Sequence, residues 1–501
     1  MTSAIRATKP ALRRRHYAAI LAILLLPALG ACSTNPATGQ SSFTGCMSEG
    51  QERSIGQEYH PQILQEFGGA YEDPAMQAYV NEIGQRLAQQ SERPNLRYTF
   101  TVLDSPVVNA FAVPGGYIYI TRGLMALAEN EAEVAGVIAH EIGHITARHS
   151  NARYCQSMVA QLGAIGLGVL TGSGAVAEAA SMGAAVYLQS YSREQEFESD
   201  LLGVRYLSRG GYDPQAMSTF LASMLESSRL DAQLAGRAGA ADEFSIFQTH
   251  PRTQDRVQRA IQQAEGTEGT EVADPVLNAD IYLSQIDGML YGDDPDEGFI
   301  RNTRFVHPIL KFEFTVPNGF RLMNSSSAVI AQGPNNSAII FDRAPQGAQT
   351  SNMQRYISEQ WLSKVQLSNL GSITVNGMDG ASATARVATN NGERDALLVA
   401  LRWDQNTIYR FAFLVQPGQM DSMRSAFAST VNSFRRISDA EAATFKPHRI
   451  EVITVGSGQT VESLAAQMPF PDYRVERFRV LNGLAPGAQV TPGQRVKIIV
   501  E

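Results

Sequence analysis

The chain has 501 residues, 44% of them hydrophobic and 18% charged, enough for two to four domains at one per ~150 residues, which excludes disorder as its main theme. Its 41 basic and 49 acidic side chains sum to −8, and loss of Arg6, Lys9, Arg13, Arg14 and Arg15 with a targeting segment leaves 36 against 49, or −13. A surface that acidic repels phosphate backbones and no basic patch contradicts the total, so nucleic acid is not an expected partner. Three cysteines (Cys32, Cys46, Cys155) make neither a disulfide framework nor a four-cysteine zinc site, which predicts stability from ordinary cores.

At the N-terminus, Arg13-Arg14-Arg15 precede an apolar run from Ala18 to Leu29, about 12 residues and well short of the ~20 that a spanning helix needs. The run is read as a leader rather than an anchor. It ends in Leu29-Gly30-Ala31-Cys32, which resembles a bacterial lipobox, whose cysteine takes lipid on its sulfur; the alternative is a plain secretory signal with a coincidental cysteine. Residues 1–31 are therefore expected as a lipoprotein signal peptide and 32–47 as a flexible tether, since Ser33 to Ser42 are small and polar. Ser33 after the cysteine, where Asp would stand otherwise, resembles the outer-membrane sorting pattern of Gram-negative lipoproteins and implies a periplasm-facing envelope protein.

From Ser48 to about Glu265 spaced apolar positions predict helices, with strands at Arg97 to Asp104 and Gly116 to Thr121. The polar stretch Gly266–Pro275 and the acidic Tyr291–Glu297 mark 266–304 as a linker. Between Phe305 and Arg436 short alternating segments predict strands at Lys311–Val316, Ala328–Gln332, Ser337–Asp342, Ala381–Ala388, Ala396–Trp403 and Thr407–Val415. Helical patterns at Asn352–Val365 and Met420–Phe434 interrupt them, so 305–437 reads as an α+β domain without a catalytic cluster.

Residues 130–150 read NEAEVAGVIAHEIGHITARHS. Asn130 can cap a helix with Glu133 as its capping-box partner, and Val134, Val137, Ile138, Ile142 and Ile145 form the apolar stripe. On that helix His140 and His144 are four residues apart, hence on one face a turn apart, where both can bind one zinc while Glu141 takes a proton from the metal's water. His149 is five residues past His144 and points elsewhere on the helix, as a surface histidine or one standing behind the ligands. A third ligand is still required. Glu196 and Asp200, in the helical pattern Ser192–Asp200, are again four apart; one can bind zinc while the other accepts the N–H of a ligating histidine, or both can belong to a solvated charged face.

VVNAFAVPGGYIYITRGLMALAENEAEVAGVIAHEIGHITARH followed by SREQEFESD resembles the CAAX-prenyl-protease-like family of zinc metallopeptidases, with its soluble BepA-type and membrane HtpX-type members, over roughly Ser48 to Glu265. The resemblance implies one zinc ion on His140, His144 and Glu196, Glu141 as general base, and Asp200 behind the ligands. It also implies that Asn109-Ala110-Phe111-Ala112 is an edge strand with which an extended substrate pairs. Phe247–Pro251 with Arg256 resembles a family segment in which a histidine lies near zinc, so His250 is either a ligand-like plug, a catalytic group or a loop histidine. Unlike the membrane members, the chain has no expected span; Gly163–Leu188 reads as a Gly- and Ala-rich helical hairpin over the active site.

The last module, 447–501, carries Gly456-Ser457-Gly458-Gln459-Thr460, Leu481-Asn482-Gly483-Leu484 and Pro492-Gly493-Gln494, and resembles a LysM domain, which implies binding of peptidoglycan glycan or a structural use. Gln459 replaces the usual Asp, and Pro469 and Pro471 interrupt the helical part. The expected fold class is multidomain: a mainly α-helical HEXXH gluzincin domain (48–265) with a small edge-strand sheet, then an α+β domain, then a small LysM-like α/β module. The expected function is a membrane-tethered zinc endopeptidase that cleaves unfolded or misassembled envelope proteins. A wall-bound adaptor or chaperone and a hydrolase of peptidoglycan peptides are the alternatives.

Overall fold

The computed structural model describes residues 33–39, 41–42, 46–155, 190–234, 236, 259–262, 272–325, 327–345, 347, 352–389 and 392–501. The expected leader, Cys32 and the Gly163–Leu188 hairpin lie outside the described residues. Among the described residues no helix is long and apolar enough to cross a membrane.

Helices Glu49–Glu66 and Pro74–Ala88 open the first region, the former started by a Ser48/Gln51 capping box and the latter by Asp73 with Pro74 as its first residue. Met76, Val80, Ile83 and Leu87 recur at helical spacing on the second helix and are buried in the main core. A three-stranded sheet follows, in the order Thr99–Leu103, Tyr117–Thr121, Ala110–Val113. The first pair is parallel and the second antiparallel. The turn Pro114-Gly115-Gly116 that joins the antiparallel pair needs its glycines, with φ of +89° and +92°, and a Cβ on Gly115 would lie 2.7 Å from the Glu52 carbonyl oxygen.

The helix Glu131–Thr146, called the motif helix below, is buried almost all round rather than along one stripe. Asn130 caps it through the Glu133 N–H, but the Glu133 carboxylate accepts from the Glu129 N–H, so the expected capping box is displaced by one residue. The helix Arg193–Arg209, called the carboxylate helix below, lies directly against it. A Cβ on Gly143 would sit 2.7 Å from Ser199 Oγ and 3.0 Å from the Ser199 carbonyl oxygen, and one on Gly203 would sit 3.2 Å from the His140 nitrogen. Ser199 Oγ donates to the His140 carbonyl at 2.5 Å.

The expectation that ordinary cores alone stabilise the chain is corrected by a disulfide between Cys46 and Cys155, 109 residues apart. It ties the approach to the first helix to the segment after the motif helix, two places that the fold brings together but the sequence keeps far apart.

The region from Phe299 on is a seven-stranded antiparallel sheet beside a four-stranded one, whose outer strand Phe299–Arg301 lies within the expected linker. Leu367–Val375 and Arg321–Asn324 join the expected strands in the larger sheet. Phe312, Phe314, Phe341, Phe411 and Phe434 interlock between the sheets and the helix Met420–Ser433.

In the C-terminal module the strands His448–Thr454 and Arg495–Val500 pair antiparallel around helices Val461–Ala465 and Arg474–Leu481, with Pro469 and Pro471 between the helices. The expected linker 266–304 is corrected over its described part: Ala279–Ile286 is a helix that buries Tyr282, Leu283 and Ile286 in the main core, and Leu290–Tyr291 adds a third strand beside His448–Arg449. Its apolar helix face, masked in the sequence by acidic neighbours, is what holds it down. The module also sends Lys497, fully buried, to the carbonyls of Ala126, Leu127 and Ala128 at 2.9, 3.3 and 2.7 Å and to the Glu129 carboxylate at 2.8 Å. An ammonium at the C-terminal end of helix Arg122–Leu127 answers the carbonyls left open there.

Three outcomes follow from these contacts. Replacing Cys46 and Cys155 with Ser is expected to cost about 2–5 kcal/mol in denaturant unfolding, because the bridge closes a long loop of the unfolded chain. Gly143→Ala is expected to cost about 1–3 kcal/mol, since the methyl must push Ser199 backbone away, and to lower zinc content after dialysis. Lys497→Met strands a buried Glu129 carboxylate and is expected to cost about 3–5 kcal/mol by the same unfolding measurement.

Candidate metal centre

The motif helix presents His140 and His144 one turn apart, and the carboxylate helix brings Glu196 onto them. His140 Nε2 lies 3.0 Å from His144 Nε2 and 3.7 Å from Glu196 Oε2, and His144 Nε2 lies 3.4 Å from Glu196 Oε1. These three are a group whose ligand atoms all lie within 4.8 Å of one another, and all three are buried. Two imidazoles and one carboxylate are the donor set of a three-ligand zinc site with a fourth position open, so the residues present fit zinc. Glu141, next to His140, is fully buried on the same helix.

Behind the ligands, His140 Nδ1 lies 2.9 Å from Asp200 Oδ1, the place that the spacing of Glu196 and Asp200 offered it. Burial pulls the His140 imidazole down, but the Asp200 carboxylate at Nδ1, with Glu196 and Glu141 nearby, carries it above its ordinary value. Burial dominates at His144 and holds it well below. The Tyr191 ring stacks on His144 with centroids 3.7 Å apart, and the Arg153 guanidinium covers the other face of that tyrosine, 3.6 Å from its centroid.

His149 is not a surface residue. The motif helix stops at Thr146, and Arg148 at φ +59° reverses the chain, so His149 turns back and its Nδ1 lies 2.8 Å from Nδ1 of His144. Of the two places expected for it, His149 takes the one behind the candidate ligands. Arg148 is held in that turn by its side chain, which pairs with the buried Glu52 carboxylate and donates to the Met47 carbonyl at 2.6 Å. His149 Nε2 in turn lies 3.2 Å from Glu198 Oε2, and burial lowers the His149 imidazole.

The strand Ala110–Val113 is the outer strand of its sheet, with no strand on its free edge among the described residues. Ala110 and Ala112 face the main core that the motif helix shares, while Phe111 and Val113 face the helix Glu49–Glu66. Asn109 precedes the strand, its N–H donating to Thr121 Oγ1 at 3.0 Å, and its own side-chain oxygen is buried without a hydrogen-bond partner among the described residues. His250 and Arg256 lie outside the described residues.

Residues 74–264 match the family model described as Peptidase family M48. The beta-barrel assembly-enhancing protease of Escherichia coli (strain K12) is 31% identical over 233 residues, 45% of this chain and 46% of that protein. The Yersinia pestis protein of the same name is 33% identical over 198 residues, 38% of this chain and 40% of that protein. The mitochondrial metalloendopeptidase OMA1 of Schizosaccharomyces pombe is 28% identical over 217 residues, 42% of this chain and 59% of that protein. The chain thus spans about half the length of the curated relatives it matches. Both His140 and His144 on the motif helix and Glu196 on the carboxylate helix fall inside the matched segment, so residues 74–264 are similar to peptidase family M48 over the stretch that carries the candidate metal centre.

Proposed function

We propose that this chain is a zinc-dependent metalloendopeptidase of the bacterial cell envelope that cleaves unfolded or misassembled envelope proteins. The convergence of His140, His144 and Glu196, with buried Glu141 beside them, carries the reading. Zinc, when bound, supplies Lewis acidity toward the scissile carbonyl and draws the pKa of a water toward ~7. Glu141 accepts the proton of the attacking water and passes it to the leaving amine. Asp200 accepts the Nδ1–H of His140 and so keeps Nε2 free to ligate.

Ala110–Val113 has no strand paired to its outer edge among the described residues and is buried as the chain stands; once that edge is uncovered, an extended polypeptide adds to it as a further antiparallel strand, its main chain providing most of the recognition. This mode suits a protease whose substrates share exposed backbone rather than a sequence. Three observations support the envelope as the place of work: the lipobox-like Leu29–Cys32, relatives named for β-barrel assembly, and a disulfide, which persists in oxidising compartments. Lipid on Cys32 would hold the chain at the outer membrane, and the LysM-like module would dock it on peptidoglycan.

Glu141→Gln is expected to keep one zinc per chain and to lose casein digestion by at least ~10²-fold, because the amide keeps the carboxylate's shape and cannot take the proton. Undiminished digestion by that variant overturns the assigned role, and wild-type protein that cleaves muropeptides but leaves casein intact overturns the substrate class.

A further inference from the structure

His144 can ligate zinc through Nε2 only as the tautomer that carries its proton on Nδ1. That Nδ1 faces away from the other ligands and meets Nδ1 of His149 at 2.8 Å. Two ring nitrogens at this distance share one proton, so His149 accepts there and carries its own proton on Nε2. Nε2 lies 3.2 Å from Glu198 Oε2, which takes it. Glu198 is fixed from the other side: the Asn35 amide donates to its Oε1 at 2.6 Å, and the Thr38 side chain hydrogen-bonds to the same carboxylate. Asn35 is only 4% exposed, and its own Oδ1 accepts from the Ala37 N–H at 2.9 Å, which closes a turn.

We propose that His149, Glu198 and Asn35 are positioning residues of the metal centre, an unbroken hydrogen-bonded chain that sets the tautomer and orientation of His144 and ends in the segment directly after Cys32. The inference rests on the zinc reading above. The two ligand histidines are then supported by different means. His140 reaches a carboxylate directly, on the helix that also supplies Glu196. On Nδ1, His144 meets a second imidazole, which passes on to the Glu198 carboxylate, and that carboxylate is clamped by residues 35–38, the stretch that sequence alone reads as a mere tether. Arg148 makes the relay possible by reversing the chain, and Glu52 holds Arg148 in that turn. The N-terminal segment thereby contributes to metal affinity.

The test is the zinc dissociation constant of the purified full-length chain, measured by competition with a chromogenic chelator, beside the unfolding midpoint of the metal-free form. His149→Leu is expected to weaken zinc binding about 10–100-fold, the usual cost of losing a group behind a ligating histidine. His149→Gln, which can still accept from His144 and donate to Glu198, is expected to recover most of that loss. Asn35→Ala is expected to weaken binding about 3–10-fold while the metal-free midpoint stays unchanged, a smaller loss because it acts one link further out. Wild-type affinity in His149→Leu overturns the relay, and wild-type affinity in Asn35→Ala overturns the part assigned to the N-terminal segment. If His149→Leu fails to fold, Glu198→Ala, whose side chain is 27% exposed, decides on the same terms. A wild-type chain that binds no zinc overturns the metal-centre reading itself, which keeps the two failures distinct.

Discussion

Everything at the metal centre depends on how closely two helices approach. The candidate ligands come from segments more than fifty residues apart in sequence, and no local preference holds Glu196 within reach of two imidazoles. Gly143 and Gly203 remove the side chains that would keep the helix axes apart, and Ser199 spans the contact with a hydrogen bond to the His140 carbonyl, the carbonyl of a ligand itself. Because interiors are close-packed, a displacement there cannot be absorbed locally and reappears as a change in the distances between donors. Gly143, an unspecified position of the HEXXH motif, is thus as constrained by geometry as its neighbours are by chemistry.

A second requirement is the handling of buried charge. Glu52 lies almost wholly inside the protein and collects Arg93 from one segment and Arg148 and Asn151 from another. Arg93 also donates to the Ile145 carbonyl at 3.2 Å, at the end of the motif helix. Unpaired, such a carboxylate would be strongly destabilising; satisfied, it joins the first helix to the turn that presents His149. The Cys46–Cys155 bridge fastens the same neighbourhood covalently, so the end of the motif helix is fixed by a charge cluster and a disulfide together.

What could be read from the sequence follows from the range of the interactions involved. The spacing of His140 and His144, the capping role of Asn130, and the alternation of Ala328–Gln332 or Ala396–Trp403 are local, and the helices and strands lie where these patterns put them. Glu196 and Asp200 were legible as a pair on one helical face, while their placement against the histidines needed the resemblance, since periodicity allows a solvated face equally well. The return of His149 depends on a left-handed residue, Arg148, held by a carboxylate about a hundred residues earlier, and no window of sequence contains both. The same holds for the disulfide and for Leu290–Tyr291, a two-residue strand that exists only because His448 and Arg449 supply its partner. Asn482 shows the opposite case: it stands in the LysM-like stretch Leu481–Leu484, where its side chain hydrogen-bonds both the N–H and the carbonyl of Lys497 and pins the last strand.

Lys497 extends this beyond its own module. With its ammonium wholly desolvated against three carbonyls and Glu129, the C-terminal module cannot swing away without exposing or stranding those groups, and the strand from residues 290–291 fastens it a second time. Module and peptidase domain therefore turn as one body. Any contact that holds the module also sets the compass bearing of the motif helix and of the strand Ala110–Val113, so the heading of the candidate metal centre is a property of the architecture rather than of diffusion.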